Sequence, residues 1–154
     1  MKSAPLATVS ESKLSWRQLI VSKSVAGRTD AATAVREYVA RINAHDASGI
    51  VALCTPDHVL IDSLGSRLSG HARLEQGWRG YFALFPDYRI EIQEMASAGD
   101  LVLACGLAAG THAVSGAAWR IPAAWRAKVI NGHVAEWQVY ADNKPVYEIL
   151  ASGS

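Results

Sequence analysis

The sequence has few cysteines and no excess of charge of either sign. Only two cysteines, Cys54 and Cys105, occur in 154 residues, and each lies alone in an apolar stretch. Without Cys-x-x-Cys spacing they predict neither a zinc site nor a redox motif, and we interpret them as buried free thiols of a cytoplasmic protein. The formal net charge is +1, so the chain lacks the electrostatic field expected for binding to nucleic acids or membranes.

Several signatures of common enzyme classes are also missing. The sequence contains no phosphate-binding loop, no dinucleotide fingerprint and no nucleophile elbow. Its five histidines show no zinc-ligand spacing, and no apolar run is long enough to span a membrane. We therefore expect no metal, no cofactor and no membrane or nucleic-acid partner.

What is present is the composition of one globular domain, with half of the residues apolar and 19% charged. Residues 1–28 are basic and serine-rich and predict a flexible arm or an accessory helix, followed by the domain in residues 29–154. Apolar residues recur with helical spacing from residue 31, whereas after Pro86 the chain turns to strands, with Asn131-Gly132 as a hairpin signal. This order predicts an α+β domain whose helices cover one face of a curved sheet.

Two polar side chains lie in apolar patterns. In "HVLIDSLG", residues 58–65, alternation puts Asp62 on the strand face that carries Leu60 and Leu64. A buried carboxylate is costly unless it is paired or hydrogen-bonded, so Asp62 is either a turn residue or a functional one. Tyr38 lies in the apolar stripe of the first predicted helix, where a tyrosine is either a core residue or a hydroxyl donor aimed at a ligand.

Several segments together resemble the nuclear transport factor 2-like superfamily, which includes SnoaL-like polyketide cyclases, ketosteroid isomerases and limonene epoxide hydrolases. The resemblance covers about residues 31–150 and is carried by "REYVARINAHDASGIVAL", the Asp62 strand, "GHARLEQGWRGYFALFPDYRIEI", "GTH" and "NGHVAEWQVYAD". It implies a cone-shaped, cystatin-like fold. In that fold a strongly bent, mostly antiparallel sheet encloses an apolar pocket, with three helices on its concave side.

The resemblance also implies a mechanism. Ketosteroid isomerases carry a Tyr in the first helix and an Asp in the next strand, and Tyr38 and Asp62 match both with the same spacing of 24 residues. By that resemblance Asp62 would be the general base and Tyr38 the oxyanion donor of an isomerase or lyase. The second acid of those isomerases falls at Trp125 or Ala124 here, so half of the donor pair is missing or replaced by an indole N–H.

Further site residues follow from the same comparison. The predicted rim residues are His58, His112 and Asp142, of which Asp142 is alternatively a strand-end residue. The predicted substrate-binding residues are Trp78, Phe82, Leu103, Cys105, Leu107, Trp125, Trp137, Val139 and Ala141.

The predicted function is that of a cofactor-free isomerase, cyclase or dehydratase, which transfers a proton on a small apolar or aromatic carbonyl compound. The alternative is a non-catalytic domain of the same fold that binds a small ligand or mediates dimerisation. We expect a homodimer through the outer sheet face, because "VLACGLAAG" and "AAWRIPAAW" are apolar on both faces.

Overall fold

The structure, a computed structural model, describes residues 30–153. The predicted extension, residues 1–28, lies outside the described residues. Within residues 30–153, no helix is both long and apolar enough to cross a membrane. The helices of this part are α1 (Ala31–Asn43), α2 (Ala47–Ala52), α3 (His71–Leu84) and α4 (Lys144–Ser152). The strands are β1 (Cys54–Ile61), β2 (Arg67–Ser69), β3 (Arg89–Ala98), β4 (Leu101–Thr111), β5 (Ala118–Ile130) and β6 (His133–Ala141).

The helices bury one face each against the sheet. In α1, Val35, Tyr38 and Ile42 recur at three and four residues and are fully buried, which is the stripe that the sequence predicts. Asp46 begins α2 by accepting a hydrogen bond from the Gly49 N–H at 2.9 Å, because the first N–H groups of a helix lack partners within it. Along α3, Leu74 and Trp78 bury the corresponding face.

The six strands form one curved sheet in the order β2-β1-β6-β5-β4-β3. All neighbours are antiparallel except β1 and β6, which pair in parallel. Asn131 and Gly132 both have positive φ angles, of 50° and 78°, as a tight hairpin turn between twisted strands requires. Register shifts interrupt the β1–β6, β3–β4 and β5–β6 pairings, and such bulges bend strands. The predicted α+β fold with a bent, mostly antiparallel sheet is confirmed.

The C-terminal segment differs from the expectation of three helices. Residues Lys144–Ser152 form a fourth helix, α4, although the sequence predicts strands after Pro86. Pro145 lies in its first turn, where a missing N–H costs nothing. Asp142 accepts a hydrogen bond from the Lys144 N–H at 3.0 Å. Val146, Ile149 and Leu150 then recur with helical spacing, which is a signal that the sequence contains.

Candidate functional site

A cavity of about 330 Å³ lies between the helices and the concave face of the sheet. Its wall is formed mainly by β1, β5 and β6 together with α3 and α4, with one residue each from β2 and β4, and most of the residues that line it are apolar. Six of the lining residues are aromatic, namely Trp78, Tyr81, Tyr88, Trp125, Trp137 and Tyr147. A concave apolar cavity with a few polar groups is the usual form of a small-molecule site.

Asp62 lies immediately after β1 and lines the cavity. Its Oδ1 atom accepts hydrogen bonds from the backbone N–H groups of Leu64 at 2.9 Å and Ser66 at 2.8 Å, which hold the turn between β1 and β2. Its Oδ2 atom has no hydrogen-bond partner among residues 30–153. Within the same part of the chain, Asp62 is the only Asp, Glu, Lys, Arg or His residue that lines the cavity. Asp62 is thus both a turn residue and a cavity residue.

Tyr38 does not line the cavity. Its side chain is fully buried, and its ring lies 5.0 Å from the ring of Trp137. The hydroxyl lies beside the thiol of Cys54 and the indole nitrogen of Trp78, without a hydrogen bond of good geometry to either. Burial raises the pKa of Tyr38 well above its ordinary value, and the Cys54 thiol raises it further. Trp78 and Trp137 both line the cavity, so the structure brings Asp62 to the cavity and leaves Tyr38 behind its wall.

Three tyrosines that the sequence analysis did not assign to the site line the cavity, namely Tyr81, Tyr88 and Tyr147. Tyr81 lies on α3 and Tyr88 between α3 and β3, and their rings are perpendicular with centres 4.9 Å apart. Burial raises the pKa of both phenols, with a smaller contribution from Tyr147 to Tyr81 and from Tyr81 to Tyr88. For Tyr81 the signal was available, because Leu74, Trp78 and Tyr81 share one face of the predicted helix.

Of the aromatic and β6 residues that we predicted to bind substrate, all but one line the cavity. Trp78, Trp125, Trp137, Val139 and Ala141 all line the cavity. Phe82 is buried behind that wall instead, where its ring lies 5.4 Å from the ring of Trp78 and 4.4 Å from that of His45.

The three β4 residues predicted to line the pocket need a correction. Leu103 is 51% exposed, Cys105 is exposed with its thiol 3.8 Å from the Glu94 carboxylate, and Leu107 does not line the cavity. The inner face of β4 carries Val102, Ala104 and Ala108 instead. The strand is apolar on both faces, so its hydrophobic pattern cannot distinguish the inner face from the outer one.

The two predicted rim histidines are buried. His58 is 1% exposed, and its Nδ1 donates to the Val134 carbonyl oxygen at 2.7 Å, across the β1–β6 pair. Burial lowers the pKa of His58, which favours the neutral ring. His112 is 4% exposed and lies 2.9 Å from the Ser115 hydroxyl, within the loop between β4 and β5. Both predictions are corrected because each ring has local partners and packs into the interior.

Helix α4 forms part of the cavity wall. Val146, Tyr147 and Leu150 face the cavity, and the Asn143 side chain donates to the Ser63 hydroxyl at 2.8 Å, which joins α4 to the β1–β2 turn. Asp142 is exposed and lines a separate groove, where it accepts a hydrogen bond from the first turn of α4. No group of three or more metal-ligating side chains occurs in residues 30–153.

Comparison with known proteins identifies one family. The model of the SnoaL-like domain matches residues 35–137, about two thirds of the chain. No match is found among curated proteins.

Three solved structures illustrate the similarity of fold. A protein from Shewanella denitrificans OS-217, named as a candidate SnoaL-like polyketide cyclase, has a TM-score of 0.70 at 15% identity, over 79% of this chain and 97% of its own. TerC, co-crystallised with polyporic acid, has a TM-score of 0.69 at 17% identity, over 79% of this chain and 98% of its own. An LEH-like epoxide hydrolase from M. tuberculosis has a TM-score of 0.68 at 20% identity, over 82% of this chain and 92% of its own. Identities this low establish a common fold alone.

Proposed function

Because the chain belongs to the SnoaL-like domain family, we propose that it is a cofactor-free isomerase, cyclase or dehydratase. In this proposal the cavity binds an apolar compound with a carbonyl group, and Asp62 transfers a proton on it. The observation that carries the proposal is one carboxylate in the wall of a cavity that is otherwise uncharged and mostly apolar and aromatic. Its Oδ1 is fixed by two backbone N–H groups, and its Oδ2 has no partner among residues 30–153.

The proposed step is a proton transfer in which Asp62 acts as base and then as acid. The Oδ2 atom takes a proton from a carbon activated by the carbonyl group, and the electron pair moves through the conjugated system to the carbonyl oxygen. The protonated carboxyl group then returns the proton to another carbon, which gives an isomer. A positioned general base contributes about two to four orders of magnitude in rate. The apolar wall excludes water, which strengthens each electrostatic interaction inside the site.

The aromatic wall supports a flat, apolar ligand. The rings of Trp125 and Trp137 are nearly parallel, at 21°, with centres 6.3 Å apart, and both line the cavity. Among proteins with the same fold, TerC was co-crystallised with polyporic acid. In the proposed function Tyr38 has no contact with the substrate and positions the walls formed by Trp78 and Trp137.

The test is proton exchange on a ring ketone. Incubation in D₂O with the bicyclic conjugated enone octalone should lead to deuterium incorporation that NMR can follow. Asp62→Asn keeps an Oδ1 acceptor for the turn and removes the base, so we expect exchange to fall by about two to four orders of magnitude while binding persists. Asp100→Asn is the matched control, because Asp100 is exposed in the β3–β4 hairpin. Full exchange in Asp62→Asn would contradict the proposal.

A second candidate function is ligand binding without catalysis. It is favoured by the two hydrogen bonds to Asp62 Oδ1, because they give the carboxylate a structural role in the turn. If ring ketones bind in the cavity and the wild-type protein does not accelerate their exchange, the binding function replaces the catalytic one.

We also propose a homodimer through the outer face of the sheet. Leu103 is half exposed on that face, next to the exposed Cys105. Light scattering during size-exclusion chromatography should give twice the monomer mass, and Leu103→Lys should shift it toward the monomer. Val114→Lys is the control, since Val114 is 80% exposed in the β4–β5 loop. A monomer mass for the wild-type protein at micromolar concentration would contradict the dimer.

A further inference from the structure

The cavity contains phenol hydroxyls that the proposed base does not use. Tyr81 and Tyr88, which we call the tyrosine subsite, both line the cavity, and no hydrogen bond to either hydroxyl is formed within the described part of the chain. The Tyr38 hydroxyl differs because it is completely enclosed by protein atoms. A hydroxyl that faces an apolar cavity without a partner loses hydrogen-bond energy unless a ligand or water supplies an acceptor.

The tyrosine subsite lies across the sheet from Asp62. Asp62 follows β1, whereas Tyr88 directly precedes β3, and the strands β6, β5 and β4 lie between β1 and β3 in the sheet. Tyr81 faces the same end from α3, where its ring packs against those of Tyr88 and Phe85. The residues between the two ends are apolar, including Ala108, Ile121 and Ala123. The cavity therefore has the Asp62 carboxylate at one side, the two phenols of the tyrosine subsite at the other and apolar residues between them.

Both phenols of the tyrosine subsite keep their protons. Burial raises the pKa of Tyr81 and that of Tyr88 above the ordinary value for tyrosine, so each hydroxyl stays a donor throughout the physiological range. A protonated phenol in a dry site is well suited to stabilise negative charge that develops on a ligand oxygen.

We propose that Tyr81 and Tyr88 receive the oxygen of the ligand, so that the substrate is a conjugated ring ketone that lies across the cavity, with its acidic C–H at Asp62. The inference deepens the proposed function and rests on it for the Asp62 end. Because Asp62 and the tyrosine subsite lie at opposite ends of the cavity, the electron pair released by deprotonation at Asp62 must travel through conjugated double bonds to reach the oxygen. A vinylogous ketone meets this requirement, whereas a simple ketone has its acidic carbon next to the carbonyl group.

A pair of ligands that differ only in oxygen tests the tyrosine end without any reaction. α-Tetralone carries a ketone, and tetralin is the same bicyclic skeleton without it. We expect the wild-type protein to bind α-tetralone more tightly than tetralin. In Tyr88→Phe and Tyr81→Phe the affinity for α-tetralone should fall by about two- to tenfold each, the range of one net hydrogen bond, while the affinity for tetralin does not fall. Tyr140→Phe is the matched control, because Tyr140 is half exposed on β6 and does not line the cavity.

The carbonyl stretching band of bound α-tetralone gives an independent readout. Hydrogen bonds to the oxygen lower the frequency of this band, so it should lie lower in the wild-type complex than in the Tyr81→Phe/Tyr88→Phe double variant. Equal frequencies in the two complexes would overturn the inference. A wild-type protein that binds α-tetralone no more tightly than tetralin would overturn it as well.

Failure of this inference can be separated from failure of the proposed function. Suppose the ketone preference depends on Tyr81 and Tyr88 but Asp62→Asn has no effect on exchange. The tyrosine subsite then stands and the proposed base fails. If instead exchange requires Asp62 while both Tyr→Phe variants retain the ketone preference, the base stands and the tyrosine subsite is wrong.

Discussion

Tyr38 and the pair formed by Tyr81 and Tyr88 all come from the helical side of the molecule and face its interior, yet only the pair reaches the cavity. Trp137 packs 5.0 Å from the Tyr38 ring and lines the cavity in its place. Tyr81 and Tyr88 pack edge to face against each other, and both line the cavity. A match to a family's catalytic tyrosine therefore identifies a position in the fold, whereas access to the ligand depends on the bulk of the neighbouring side chains.

The largest expected difference between Tyr38 and the pair Tyr81 and Tyr88 is in their effect on exchange activity. In the Tyr81→Phe/Tyr88→Phe double variant, exchange of octalone protons should fall by about two to three orders of magnitude, the usual result of losing a donor to an oxyanion. Tyr38→Phe should change the rate by less than about threefold, because its hydroxyl does not touch the ligand. NMR measurement of deuterium incorporation in the variants checks both values. A larger loss of exchange activity in Tyr38→Phe than in the double variant would contradict the claim that only Tyr81 and Tyr88 contact the ligand.

Unfolding at alkaline pH tests the burial of the phenol group, which Tyr38 shares with Tyr81 and Tyr88. Burial raises the pKa of Tyr38, Tyr81 and Tyr88, so the folded state holds these protons more tightly than the unfolded state. Stability should be constant below about pH 10 and fall above it, by up to about 1.4 kcal/mol per pH unit for each phenol. Urea denaturation at increasing pH measures this slope.

The matched variants separate the contribution of each tyrosine to that slope. Tyr38→Phe and Tyr88→Phe should each make the alkaline loss shallower by one phenol, whereas Tyr140→Phe should leave it unchanged. An unchanged slope in Tyr38→Phe would show that its hydroxyl ionises in the folded protein, and the Tyr38 region would then be as accessible as the cavity.

The smallest expected effect concerns the turn at the carboxylate end of the cavity. Asp62→Ala removes the acceptor for the Leu64 and Ser66 N–H groups and should lower the free energy of unfolding by about 1 kcal/mol. Asp62→Asn keeps an oxygen at Oδ1 and should cost less than half of that. Urea denaturation of both variants near neutral pH makes the comparison. Equal losses would mean that the charge of Asp62, rather than its acceptor geometry, stabilises the turn.

The sequence predicts those parts of the fold that follow from local chemistry. The apolar spacing of α1, the Asn131-Gly132 hairpin and the inward positions of Trp137, Val139 and Ala141 on β6 all agree with the structure. The alternation in "HVLIDSLG" puts Asp62 on the face of Leu60, and both line the cavity, whereas Leu64 of the same predicted face is 73% exposed because the strand ends at Ile61.

Other features depend on packing that the sequence does not encode locally. Alternation on β4 gives no preference between its two apolar faces, so the inner position of Ala104 depends on the register with β5, where it pairs with Trp125. Tyr38 and Tyr81 occupy equivalent apolar stripes on different helices. The side chains that pack around each tyrosine decide whether its hydroxyl meets protein or cavity.

The most direct measurement is a crystal structure of the protein with octalone bound. We expect the enone oxygen within about 3 Å of the Tyr81 or Tyr88 hydroxyl, and the far end of the conjugated system against Asp62 Oδ2. An enone with its oxygen next to Asp62, or bound outside the cavity, would contradict the assignment of the carboxylate and tyrosine ends.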